Sequence, residues 1–144
     1  MGKKRIIQKS DLTTDEGRAA AIRASLPKKK FTEGVVHVQS TYNNTLIAIS
    51  DNSGNVVVSS SAGALGFRGA KKGTPYAATK VAEFLGEKAK AMGVQKVNIL
   101  VKGVGASREG AIRSFAAQGF DISVIRDITP VPHNGPRSPK PRRV

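Results

Sequence analysis

The chain has 144 residues, the size of one ordinary domain, and its 24 lysines and arginines against 10 acidic residues give a net charge of +14. A positive charge this large attracts polyanions, so nucleic acid and anionic membrane surfaces are the candidate partners. The chain has no cysteine, which excludes disulfides and thiolate metal sites, and no apolar run approaches the roughly 18 residues of a membrane-spanning helix.

Residues 1–30 form a basic N-terminal extension with nine cations and three acids. The start of the chain lacks the apolar run of a secretory signal, so we expect a cytoplasmic protein without a membrane anchor. The stretch TTDEGRAAAIRAS predicts a short helix, because Thr13 and Glu16 have capping-box spacing and Pro27 ends the pattern. A helix this short is marginal alone in water, so we expect the extension to be disordered or partly helical until it docks.

Residues 31–128 predict a single α/β core that begins with an antiparallel meander. EGVVHVQSTYNNTLIAISD predicts two strands joined by a tight hairpin at Asn43 and Asn44, because Asn tolerates the positive φ that such a turn requires. A second turn at residues 51–55 leads into VVVSSS, the third strand. Residues 61–73, SAGALGFRGAKKG, are rich in glycine and have no periodicity, so they predict a loop.

Two helices and two strands follow this loop. Thr74 and Pro75 predict the N-cap and first turn of a helix that Gly93 ends. Its predicted inner face comprises Ala77, Val81, Leu85, Ala89 and Met92, with Phe84 beside them. Ser107 is the predicted N-cap of the second helix. The inward residues expected in the remaining elements are Val97, Ile99 and Val101, then Ile112, Phe115 and Ala116, then Phe120, Ile122 and Val124.

The element order β-β-β-α-β-α-β predicts the topology. Strand-helix-strand crossovers imply parallel pairing with right-handed connections, whereas the meander is antiparallel. We therefore expect an α/β fold with a mixed five-stranded sheet, two main helices and basic terminal extensions. The strand order 3-2-1-4-5 is the economical arrangement, and we expect it by analogy with ribonuclease H-like folds.

Residues 129–144 predict a tail rich in proline and arginine, with four cations and no acid. Proline lacks a backbone donor and fixes φ, so we expect this tail to be unstructured until a partner orders it. Ten of the 14 excess charges lie on the 46 terminal residues, which favours nucleic acid. Membrane-surface binding would need a basic amphipathic helix with large apolar residues, and none is predicted. An architectural DNA-binding protein shares the charge, although neither a helix-turn-helix nor a basic zipper is recognisable.

Patterns for catalysis and cofactor binding are weak. Gly103 and Gly105 would need a third glycine at position 108 to make a dinucleotide fingerprint, and an arginine stands there. A metal-dependent nuclease needs several carboxylates that converge on Mg²⁺. The candidates are more simply solvated or paired surface groups: Asp51, Asp121 and Asp127. The two histidines lie far apart in the chain and make a poor metal pair, so we expect no cofactor, no metal and no enzyme activity.

Two glycine-containing loops are suited to phosphate. In residues 61–73 three cations accompany glycines that let a backbone approach closely; they are Arg68, Lys71 and Lys72. The loop before the second helix exposes N–H groups at the positive end of a helix dipole, although an ordinary capped helix with solvated cations is the alternative. Aromatic residues make up only 5%, so we expect recognition of backbone and shape rather than base stacking.

Several segments together resemble one family. The hairpin YNNT, the loop GFRGAKKGTPYAA, VKGVGASRE, DITPVPHNG and the closing PRRV are similar to bacterial-type small-subunit ribosomal protein eleven, a universal platform protein family. The similarity runs from about Phe31 to Val144, roughly four-fifths of the chain. Val104 stands where the family usually has proline, so this loop lacks the backbone restriction that proline would give it. Pro136 stands where cysteine is common in the family.

The resemblance implies a non-catalytic, structural constituent of the small ribosomal subunit that supports assembly and translation in the cytoplasm. It implies binding to small-subunit ribosomal RNA at the platform, near the messenger RNA exit path and the Shine–Dalgarno duplex. It also implies contacts with ribosomal proteins six, seven, eighteen and, where present, twenty-one. The RNA-binding residues implied at matching positions are Asn43, Asn44, Arg68, Gly69, Lys71, Lys72, Thr74, Lys102, Arg108, Arg113, His133, Asn134, Gly135, Arg137, Lys140, Arg142 and Arg143.

The dipeptide Asn134-Gly135 raises a separate hypothesis. Asn followed by Gly is prone to succinimide formation, because glycine does not hinder attack by its own backbone nitrogen. Isoaspartate at position 134 would add a backbone carbon and a carboxylate to the tail. The alternative is an ordinary turn residue.

Overall fold

The computed structural model describes residues 30–141, so the predicted helix before Pro27 lies outside the described residues. The strands are β1 Glu33–Ser40, β2 Thr45–Ser50, β3 Val56–Ser61, β4 Lys96–Lys102 and β5 Asp121–Asp127. The helices are α1 Pro75–Ala91 and α2 Arg108–Ala117, with a short 3-10 helix at Gly69–Gly73 inside the segment predicted as a loop.

The five strands form one sheet of order β3-β2-β1-β4-β5, as predicted. β1 and β3 pair antiparallel with β2, whereas β4 pairs in parallel with both β1 and β5. Helix α1 connects β3 to β4 and α2 connects β4 to β5, and the two helices pack against each other over one face of the sheet. Among residues 30–141, no helix packs on the other face of the sheet.

The core lies between the helices and the sheet. β1, β2 and β4 alternate between inner and outer residues, as predicted for β4. Their inner residues are at most 2% exposed: Val36, Val38, Ile47, Ile49, Val97, Ile99 and Val101. The predicted inner face of α1 is confirmed, since Ala77, Val81, Leu85 and Ala89 are fully buried. Burying one such valine, leucine or isoleucine stabilises the fold by roughly 1.5–3 kcal/mol.

Two predicted inward positions are wrong. Ala116 is exposed, and α2 instead buries Ala111 and Ser114 beside Phe115. Val124 is 43% exposed, because an irregularity in the β4–β5 register sets Val97 opposite Ile122 but Asn98 opposite Val124. One extra residue in β5 moves Val124 to the face of the sheet opposite the helices.

The turns are partly as expected. The β1–β2 connection spans residues 41–44 without any positive φ, so Asn43 and Asn44 do not form the predicted left-handed turn. Thr41 closes it instead: its backbone N–H donates to the carbonyl of Asn44 at 2.9 Å, and its hydroxyl accepts from the backbone N–H of Asn44 at 3.0 Å. The β2–β3 turn does use a left-handed residue, Gly54, with φ of 87°.

Beyond β5, residues 128–141 contain no helix or strand. Residues 130–141 are exposed throughout. Within the part of the chain that the structure describes, no helix is long and apolar enough to cross a membrane.

Candidate nucleic-acid interface

One end of the sheet gathers the segments that the sequence singled out. We call it the loop end, and it comprises residues 41–44, 62–74, 103–107 and 128–129. β1 and β4 are parallel, so their carboxyl ends meet here, and both helices begin here. The N-termini of the helices are in contact, since a Cβ at Gly110 would lie 2.7 Å from the carbonyl oxygen of Pro75.

The β1–β2 hairpin lies between the other two loops. A Cβ at Gly73 would overlap the carbonyl oxygen of Tyr42, and one at Gly105 would overlap the hydroxyl of Ser40 and the carbonyl of Thr41. The backbone N–H of Gly105 donates to the carbonyl of Ser40 at 3.2 Å. The close approach that these glycines permit is therefore to the protein's own backbone.

The predicted N-cap of α1 is confirmed. The hydroxyl of Thr74 accepts from the backbone N–H of Ala77 at 3.3 Å and donates to the carbonyl of Lys71 at 2.7 Å, with Pro75 in the first turn. Thr74 therefore connects the short 3-10 helix to α1, and this connection sets where the cations of that segment point. Gly69, inside it, has φ of 60° and open space around its Cα.

Four cations of the predicted site lie in or beside the two loops and have no ion-pair partner among residues 30–141: Arg68, Lys71, Lys72 and Lys102. Lys72 is half-buried and the other three are exposed. Cations that no carboxylate of the protein engages are available to pair with an external anion, which is what phosphate binding needs.

Arg108 is different, because its contacts are internal. One guanidinium nitrogen donates to the carbonyl of Gly103 at 2.8 Å and another pairs with the carboxylate of Asp127. The backbone N–H and the hydroxyl of Thr129 donate to that carboxylate at 2.9 and 2.6 Å. The Thr129 hydroxyl, followed by Arg108, lowers the pKa of Asp127 to about 2. The hydroxyl oxygen of Thr129 also accepts from the backbone N–H of Gly103 at 3.1 Å. This network therefore joins the loop before α2 to Thr129, the first residue of the tail.

Arg113 lies further along α2 and does not join this network. Its guanidinium, whose side chain is 81% exposed, donates to Glu109 at 2.9 Å, one helical turn away. An exposed i,i+4 pair of this kind is weak, so it leaves Arg113 free to exchange its partner.

The hairpin tip presents one residue that sequence reasoning missed. Tyr42 is 78% exposed beside the exposed Asn43. Asn44 is half-buried, and its side-chain carbonyl accepts from the backbone N–H of Thr45 at 2.9 Å. An aromatic residue inside the predicted turn was the available signal, because turn residues are seldom buried.

The tail residues expected to bind RNA are exposed as far as the structure describes them: His133, Asn134, Gly135, Arg137 and Lys140. Asn134 has φ of 52°, the left-handed conformation of a turn residue. Arg142 and Arg143 lie outside the described residues.

The prediction that Ser107 caps α2 with its side chain is wrong. Ser107 does occupy the N-cap position, but its hydroxyl makes no capping hydrogen bond and is fully buried. It contacts Ser40 and Thr45, two more buried hydroxyl residues that flank the hairpin and that sequence reasoning did not select.

The carboxylates required for a nuclease do not converge. β5 begins at Asp121 and ends at Asp127, which places these two residues about 20 Å apart at roughly 3.3 Å per residue. Asp51 follows β2 at the same end as Asp121, away from the loop end. Within residues 30–141, no group of three or more metal-binding side chains could hold a metal ion.

The family model described as "Ribosomal protein S11" matches residues 34–143. The matched region contains both helices, the whole sheet apart from the first residue of β1, the loop end and the tail almost to its last residue.

Proposed function

The chain belongs to the ribosomal protein S11 family, and on that premise we propose that its loop end and tail bind small-subunit ribosomal RNA at the platform of the subunit. Membership makes the protein a constituent of the small ribosomal subunit that binds ribosomal RNA and serves translation. The family is structural rather than enzymatic.

One observation carries the proposed site: the loops with unpaired cations and the start of the tail lie at the same end of the fold. Arg68, Lys71 and Lys102 are exposed there, and the network around Asp127 places Thr129 beside Gly103. Phosphates spaced along an RNA backbone could therefore contact the loops and the tail at once. A site built from cations and backbone groups recognises RNA shape more than sequence.

The proposed contacts divide into two groups. Residues that contact RNA directly are Asn43, Asn44, Arg68, Gly69, Lys71, Lys72, Lys102, Arg113 and the tail residues His133, Asn134, Gly135, Arg137, Lys140, Arg142 and Arg143. Arg108 and Thr74 act mainly by holding those segments in place, because their polar groups are engaged within the protein.

The finer location extends the same proposal. We place the protein beside the messenger RNA exit path, near the Shine–Dalgarno duplex, in cytoplasmic ribosomes. Its protein neighbours there are ribosomal proteins six, seven, eighteen and, where present, twenty-one. Chemical cross-linking of intact small subunits tests each of these neighbours, and subunits in which the loop end cross-links only to distant proteins would contradict this location.

Removal of the tail tests RNA binding. A chain truncated after Val131 lacks four cations: Arg137, Lys140, Arg142 and Arg143. The logarithm of the RNA association constant falls with the logarithm of salt concentration by about 0.7–0.9 for each phosphate neutralised, so truncation should reduce that slope by about three. Filter binding to purified small-subunit ribosomal RNA at several salt concentrations measures this slope. An unchanged slope would show that the tail cations do not contact RNA phosphates.

The matched control removes charge from the opposite end of the fold. Substitution of Lys88, Lys90 and Lys96 by Gln lowers the net charge by three but leaves the loop end and the tail intact. We expect this variant to keep the full slope and to co-sediment with small subunits in sucrose gradients. A general DNA-binding protein would instead be absent from the small-subunit fractions.

The isoaspartate hypothesis for Asn134 belongs to the same tail. The left-handed φ of 52° supports the alternative, an ordinary turn residue, because Asn adopts this conformation more readily than most residues. Tandem mass spectrometry of ribosome-derived protein distinguishes the two, and intact Asn134 would end the modification hypothesis.

A further inference from the structure

Three buried hydroxyl groups meet where the segments of the loop end converge. The Oγ of Ser107 lies 2.6 Å from the Oγ of Ser40 and 2.8 Å from the Oγ1 of Thr45. Thr45 Oγ1 is also 3.2 Å from the carbonyl oxygen of Lys72. All three hydroxyl residues are fully buried, so these four groups satisfy one another without solvent.

The Thr45 hydroxyl is the donor at the centre of this cluster. A carbonyl oxygen only accepts, so Thr45 donates to the carbonyl of Lys72. Thr45 also donates to the Oγ of Ser107, so its single proton is shared between these two acceptors. The contact between Ser107 and Ser40 joins two hydroxyl groups, either of which can donate. The result is a continuous set of three hydrogen bonds from the last residue of β1 to the backbone of the 3-10 helix.

The cluster joins segments that are remote in sequence. The contacts of Ser107 to Ser40 and Thr45 span 67 and 62 residues, and that of Thr45 to Lys72 spans 27 residues. The hairpin, the segment with Arg68 and Lys71, and the loop beside Lys102 therefore share one hydrogen-bonded centre.

Stability alone does not account for hydroxyl groups at these positions. Replacing hydrogen-bonded partners with apolar groups of the same shape can be nearly neutral, so a small apolar cluster could fill this space. Ser107 also forgoes the side-chain cap of α2 that its position offers. What apolar contacts would lack is direction, because hydrogen bonds fix both distance and angle between the three segments.

We propose that Ser40, Thr45 and Ser107 are positioning residues for RNA binding, which hold the hairpin, the segment with Arg68, Lys71 and Lys72, and the loop beside Lys102 in one mutual arrangement. This inference rests on the proposed function and deepens it. A rigid spacing between Lys72 and the hairpin lets several cations meet successive phosphates without first losing conformational freedom. Loss of these hydroxyl groups would remove no cation from the protein, but the positions of the cations relative to one another would no longer be fixed.

Two substitutions test this inference. Thr45→Val replaces a hydroxyl by a methyl group at nearly constant volume, and Ser107→Ala removes a single oxygen. Association with purified small-subunit ribosomal RNA is measured against salt, at a temperature at which circular dichroism shows every variant folded. We expect each variant to bind about tenfold more weakly, with a salt slope shallower by about one or two phosphates.

Two controls separate positioning from a loss of stability. Ser114→Ala removes a buried hydroxyl from the α1–α2 interface, where it donates to the carbonyl of Thr79 at 3.3 Å, and should keep the full slope. Thr45→Ser keeps the hydroxyl and removes only a methyl group, so it should bind with the wild-type slope even where it lowers the melting temperature.

The outcomes are distinct. Wild-type affinity and slope in both Thr45→Val and Ser107→Ala would overturn the positioning role, and so would an equal loss in Ser114→Ala. A variant that fails to fold at every temperature would show that the hydroxyl is structurally required, which also overturns it. If the wild-type chain itself does not bind this RNA, the proposed function fails first, and that result is read from the wild type alone.

Discussion

Arg108 forms an ion pair with Asp127, 19 residues further along the chain, and donates with a second guanidinium nitrogen to the carbonyl of Gly103. The arginine begins α2 and the aspartate ends β5, so the pair closes the gap between the second loop and the point where the tail leaves the sheet. Arg108, which the sequence analysis expected to contact phosphate, therefore makes its contacts within the protein.

This pair predicts a defined acid response. The pKa of Asp127 is lowered to about 2 from 3.8, so the folded state binds this proton more weakly than the unfolded chain does. Its contribution to stability is therefore present above about pH 4 and is lost as the pH falls towards about 2. Carbon-13 NMR titration of the Asp127 carboxyl should show the low midpoint. Thr129→Val and Arg108→Gln should each raise it, and a midpoint near 3.8 in the wild type would contradict the network.

Gly105 should not tolerate a side chain. A Cβ there would overlap Ser40 and Thr41, so Gly105→Ala must push the hairpin away from the second loop. We expect a loss of about 1–3 kcal/mol in the free energy of unfolding, together with weaker RNA binding. Gly63→Ala is the matched control, because a Cβ at that position meets its nearest atoms at an ordinary 3.8 Å. Chemical denaturation measures both, and equal stability of the two variants would refute this account.

Gly86 lies inside α1, and one contact leaves no space for a side chain at this position. A Cβ there would overlap the side-chain amide of Gln118, whose Nε2 donates to the carbonyl of Ala82 at 3.1 Å. Gly→Ala normally gains about 0.5–1 kcal/mol inside a helix, but here we expect a net loss of roughly 1 kcal/mol or more.

A double-mutant cycle isolates that contact. With Gln118→Ala in the background, the steric reason disappears, so Gly86→Ala should become neutral or stabilising. Urea denaturation of the four proteins gives the coupling energy, which we expect to be about 1–2 kcal/mol. A coupling energy near zero would show that Gln118 is not the reason why alanine is unfavourable at position 86.

Arg68 separates phosphate contact from base reading. If it meets phosphate, Arg68→Ala should weaken binding about equally for unrelated RNA sequences and lower the salt slope by about one. Competition binding with several RNA fragments measures both quantities. Lys96→Ala, which removes an exposed cation at the start of β4, at the opposite end of the fold, should change neither. A loss confined to one RNA sequence would show that Arg68 reads a base.

Features that depend on neighbouring residues were predictable. The inner face of α1 follows from a period of 3.6 residues. Its start follows from the hydroxyl of Thr74 and from Pro75, the next residue. Its end follows from Gly93, which has φ of 92°. The mixed sheet followed from the order of the elements, because crossover connections imply parallel pairing, and its strand order, expected by analogy with ribonuclease H-like folds, is confirmed.

By itself, then, the amino-acid sequence determined the five strands, the two main helices and the concentration of positive charge, since each depends on residues close together in the chain. Only the tertiary structure decided that Val124 faces outward, that Arg108 pairs with Asp127 and that Ser107 turns from its cap to Ser40 and Thr45. These features depend on which distant segments become neighbours, and a hydroxyl or guanidinium group bonds to whatever partner folding brings within about 3 Å.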